Sequence, residues 1–93
     1  MNLSVYRIFY KRDKNDILNI WGIIWLDNSY RIIFGKPKYS ISLARISKSE
    51  SLSRCRIKLD NGYKETDFET IEKNFNIQSM IEQHLIIEKL KNE

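Results

Sequence analysis

The sequence predicts an α+β fold: an antiparallel β-meander of five to six strands, as a curled sheet or partial barrel, followed by one kinked or two short C-terminal helices. Three observations point there. Apolar and polar residues alternate at period two over much of residues 1–66, and turn residues interrupt that alternation at short intervals. From Asp67 onward the apolar spacing changes to three and four. Ninety-three residues suffice for one core, so a single domain spans 1–93, with a basic meander over 1–66 and an acidic helical segment over 67–93.

The first strand covers residues 3–11, where Tyr6, Ile8 and Tyr10 alternate with Val5, Arg7 and Phe9. Asp13, Asn15 and Asp16 supply turn chemistry. Residues 17–26 are apolar on both sides, which predicts a central strand covered on two faces, with Trp21 and Trp25 in the core. Asp27, Asn28 and Ser29 reverse the chain into a third strand over 30–34, which Gly35 and Pro37 end. A fourth strand runs over 39–44, because Tyr39, Ile41 and Leu43 alternate with Ser40, Ser42 and Ala44.

Residues 47–53 read as a loop. In residues 54–59, Cys55, Ile57 and Leu59 alternate with Arg54, Arg56 and Lys58, the pattern of a fifth strand with a ladder of cations on its outer face. Asp60, Asn61 and Gly62 then suit a three-residue hairpin loop leading to a short sixth strand over 63–66. Thr66 or Asp67 caps a helix whose apolar stripe is Phe68, Ile71 and Phe75. Asn74 and Asn76 disturb it, and Ile77, Met80, Ile81, His84 and Ile87 form a new stripe. Leu85, Ile86 and Leu90 fall outside that stripe, so they form a candidate partner or dimer surface or pack deeply onto the sheet.

Charge divides with the elements. Residues 1–64 carry thirteen Lys or Arg against five Asp or Glu, a net of +8, and residues 65–93 carry three against seven, a net of −4. A basic sheet with interleaved rings suits nucleic acid, since cations neutralise phosphates and flat rings stack on bases. The candidate cations are Arg31, Lys36, Lys38, Arg45, Arg54, Arg56 and Lys58, and the candidate rings are Tyr30 and Tyr39, which flank the basic turn at 35–38. A charged strand face is also an ordinary solvated surface, or a defence against edge-to-edge pairing.

Chemistry is sparse. One histidine, His84, and one cysteine, Cys55, offer no zinc or nucleophile spacing, so neither a catalytic residue, a metal nor a cofactor is expected. Gly22, Gly35 and Gly62 stand too far apart for a phosphate-cradling loop. The lone cysteine and the absence of a secretory pattern predict a reducing, cytoplasmic setting, and no apolar run reaches the ~20 residues of a membrane span. Heavy use of Ile, Lys and Asn, with Ala only at Ala44, suits an AT-rich genome such as that of a phage or mobile element.

In order of elements the chain resembles the whirly or coactivator type of single-stranded DNA binder, which dimerises through its helices, and the SH3-like barrels of small archaeal chromatin proteins. The resemblance is one of architecture, and no residue is carried over from either. The expectation is a non-enzymatic module contacting the backbone of RNA or DNA through a basic sheet face. The alternatives are a phage or mobile-element protein that inhibits a host machine such as a CRISPR-type nucleoprotein, and a metal-free ribonuclease toxin. A homodimer through the C-terminal helix is compatible with the first two.

Overall fold

A computed structural model describes residues 3–91. Five strands form one open antiparallel sheet: β1 (Leu3–Arg12), β2 (Leu18–Leu26), β3 (Ser29–Lys36), β4 (Ser40–Arg45) and, after a helix, β5 (Lys64–Thr66). Their spatial order is β4-β3-β2-β1-β5. Helix α1 (Lys48–Asp60) lies between β4 and β5 in the chain, and α2 (Phe68–Phe75) and α3 (Ile77–Lys91) complete it. The α+β class, the antiparallel sheet and the paired C-terminal helices are as the sequence predicts.

Local chemistry sets the turns. Asp27 and Asn28 both take positive φ, 48° and 69°, which makes the two-residue β2–β3 hairpin with Leu26 opposite Ser29. Asp13 accepts hydrogen bonds from the backbone N–H groups of Asn15 and Ile17, closing the turn before β2. Those donors, with Lys36 beyond them, hold the Asp13 carboxyl below the ordinary carboxylate range. Asp67 caps α2 by accepting from the Thr70 N–H and hydroxyl, and Asn76 ends it in the left-handed region.

The sheet is covered on both faces, which explains the double-sided apolarity of β2. On one face Ile8, Ile20, Ile24, Leu26, Ile33 and Ile41 meet Ile71, Ile77 and Ile81 of α2 and α3. On the other, Phe9, Trp21, Ile23 and Ile32 meet Cys55 of α1. The register of β1 against β2 shifts between Val5 and Arg7, so Val5 joins the α2–α3 side while the Tyr6 ring turns toward Tyr30, 5.6 Å away. That bulge breaks the simple alternation expected of β1.

One segment departs from expectation. Residues 47–53 are not a loop and residues 54–59 are not a strand, because both belong to α1. Ser47 accepts a hydrogen bond from the Glu50 N–H at its start, and Glu50 pairs with Arg54 one turn later at 2.8 Å. Asp60, Asn61 and Gly62 are not a hairpin loop but the helix end: the Gly62 N–H donates to the Leu59 carbonyl and the Tyr63 N–H to the Lys58 carbonyl, with Gly62 at φ 91°. Residues 3–66 are therefore a four-stranded meander, a helix and a returning strand. That strand, β5, corresponds to the expected sixth strand and pairs with β1 through Ile8, Phe9 and Tyr10.

Candidate nucleic-acid interface

Placing residues 54–59 on a helix abolishes the predicted three-rung ladder. Along an α-helix, residues four apart share a side and residues two apart do not. Arg54 and Lys58 accordingly line one cleft together, whereas Arg56 is exposed outside it. The cleft, about 340 Å³, runs between α1 and the β2–β3 half of the sheet. Its other wall and floor come from Asn19, Trp21 and Phe34 on the strands and from Tyr63 just beyond α1.

The side chains there form a cation–aromatic cluster. The Lys58 ammonium stands 5.1 Å from the Tyr63 ring centre and 5.8 Å from that of Trp21, and the Lys11 ammonium lies 5.9 Å from the Tyr63 ring centre. Lys11 also donates to the Asn61 carbonyl at 2.6 Å, which ties β1 to the end of α1. Phe34 is 38% exposed, an apolar ring left open on a strand whose neighbouring position on β4 is the small Ser42. Trp21 is buried, as expected of a core residue, and serves as the floor.

Beneath α1, Cys55 is buried against the same layer, and burial pushes its thiol up while Arg7 opposes the shift. Arg7 itself forks onto Glu65, with Nε and Nη2 at 2.8 and 2.7 Å from the two carboxylate oxygens, and its guanidinium lies 5.0 Å from the Phe9 ring centre. These hydrogen bonds hold the Glu65 carboxyl below its ordinary range.

The other predicted site residues scatter. Arg31 and Arg45 are register partners facing α3, on the opposite face from the cleft, where Arg31 pairs with Glu88 at 3.3 Å. Lys36 pairs with Asp13 at 3.2 Å, and Lys38 lies 6.0 Å from the ring centre of Tyr39, the most exposed aromatic residue described. Tyr30 is half-buried, edge-on to Trp25 at 4.8 Å, at the opposite end of β3 from the basic turn. Tyr30 and Tyr39 therefore do not form one stacking platform. Of the candidate partner residues, Leu85 packs half-buried on the core, whereas Ile86 and Leu90 are exposed.

Trp21, Phe34, Tyr63, Asn19 and Lys11 were not marked as site residues by the sequence. The signal that finds them is the capping pattern of Ser47 and Glu50 with Gly62, which puts a helix over the strands and turns Arg54 and Lys58 toward them. Among the described residues no group of three or more His, Cys, Asp or Glu could hold a metal ion, and no helix is long and apolar enough to cross a membrane. His84 lies in the groove under α3 with Arg31 and Arg45, across the sheet from the cleft. No protein family, curated protein or solved structure matches the chain.

Proposed function

We propose that the chain is a non-enzymatic nucleic-acid-binding module that holds a single strand in the cleft beside α1. The observation that carries this reading is the juxtaposition of Arg54 and Lys58 with the open Phe34 ring and with Tyr63. Cations on one wall suit phosphate oxygens, and the open Phe34 ring, with half-buried Tyr63 near it, suits the faces of unstacked bases. Lys11 adds charge at the Tyr63 end. Such a site tracks backbone and base faces and has few polar groups for reading base edges, so it is expected to discriminate little between sequences.

The test is fluorescence anisotropy of labelled single-stranded DNA, single-stranded RNA and duplex DNA, titrated with the full chain at several salt concentrations. Tighter binding to single strands, with log affinity falling linearly with log salt, is the expected result. Replacing Phe34 by Ala is expected to weaken single-strand binding by about 1–3 kcal/mol, the range for loss of one base stack. Absence of binding at low salt, or binding that Phe34→Ala leaves unchanged, would overturn the assignment.

A further inference from the structure

We propose that the chain self-associates through α3, two copies packing this helix antiparallel against one another. The Arg31–Glu88 ion pair and the burial of Ile77 and Ile81 fix how α3 is rotated on the sheet. Rotated so, it turns Gln83, Ile86 and Leu90 to the outside and leaves Ile87 at the rim of the groove that faces Arg31, and the three apolar side chains are 54–66% exposed. Gln83, Ile86 and Leu90 follow one another at spacings of three and four, and Ile87 lies beside them. That is the seam of a helix that packs on another helix. No charged residue falls on it.

The occupant is identified by the flank of the seam. Glu82 and Lys89 are both exposed, stand seven residues apart on the same side of the helix, and make no ion pair among the described residues. When two identical helices pack antiparallel about a two-fold axis, each flank faces its own copy with the residue order reversed. Reversing α3 about the midpoint between Leu85 and Ile86 sets Glu82 of one copy opposite Lys89 of the other, twice by symmetry. A parallel arrangement turns the two copies of this flank to opposite sides of the pair and loses both pairings. The flank thus complements itself in one orientation, and the apolar seam supplies the burial that surface ion pairs alone do not.

A single pair of four-turn helices is smaller than a standard stable interface of ~1,600 Å², so the dimer forms and dissociates with concentration. Because α3 and α1 cover opposite faces of the sheet, both clefts remain open on the outside of such a dimer.

Sedimentation velocity of the full chain from about 1 to about 500 µM tests this. The wild type is expected to pass from monomer to dimer over that range, and Leu90→Glu to remain monomeric with an unchanged melting temperature. The charge reversal Lys89→Glu is expected to weaken the dimer by roughly 3- to 30-fold, and Glu82→Lys combined with it to restore the wild-type dissociation constant. A wild type that stays monomeric throughout, a dimer that Leu90→Glu leaves intact, or a double reversal that fails to restore association would each overturn the proposal.

Discussion

At Gly62 the chain adopts φ 91°, and a Cβ there would meet no backbone, only the distal atoms of Lys11 at 3.6 Å. The cost of a side chain at this position is therefore conformational rather than steric. Gly62→Ala is expected to destabilise the fold by about 1–2 kcal/mol, read as a lower urea midpoint at constant slope. At Glu65 the Arg7 fork holds the carboxyl below its ordinary value of 4.5. A depressed carboxyl contributes stability that is complete above that ordinary value and lost as the pH falls through the folded one. Glu65→Gln is accordingly expected to lower stability at neutral pH and to leave a shallower acid limb in urea midpoints measured against pH. Asp13 and Asp67, depressed by their own hydrogen bonds, still contribute to that limb.

Among the elements, β2 is packed closely against β1 at Gly22. A Cβ on Gly22 would stand 3.0 Å from the Arg7 carbonyl oxygen and 3.2 Å from Ile8 Cγ1, both in the neighbouring strand at the centre of the sheet. Gly22→Ala is expected to cost about 1–3 kcal/mol through overpacking, measured as a fall in melting temperature with the far-ultraviolet spectrum retained. The strands were legible because hydrophobic burial obeys their period, and the α2–α3 break was legible because Asn76 interrupts two stripes that point different ways. Helix α1 was not legible. Its apolar residues Leu52, Ile57 and Leu59 are about half exposed or more, and what it buries is Ser51 and Cys55, one turn apart. A segment that buries a serine and a cysteine leaves no apolar stripe to find, while the accident of alternation over 54–59 imitates a strand. The caps alone carried its identity.

Over the whole molecule, the division of charge seen along the sequence becomes partly internal. Arg31 and Glu88 join β3 to α3, and Lys36 and Asp13 join the end of β3 to the turn before β2, so two of the cations proposed for a nucleic-acid face are taken up in holding the fold together; Arg7 and Glu65 likewise join β1 to β5. Arg54, which also pairs with Glu50, stands with Lys58 and Lys11 around three aromatic rings where α1 leaves the sheet partly uncovered. Only two of the seven cations proposed from sequence, Arg54 and Lys58, line this cleft. The rest could not be sorted from sequence because a strand and a helix distribute the same charges over different faces. The two proposals assign the faces separate tasks, a cleft beside α1 for nucleic acid and an outer seam on α3 for a second copy.

Backbone amide mapping by two-dimensional NMR, with unlabelled single-stranded oligonucleotide added stepwise to the isotope-labelled chain, tests the central claim most directly. Shifts concentrated at Asn19, Phe34, Arg54, Lys58 and Tyr63, with the α3 amides unmoved, are the predicted result. Shifts confined to the groove of Arg31, Arg45 and His84, or no shifts at saturating oligonucleotide, would contradict it.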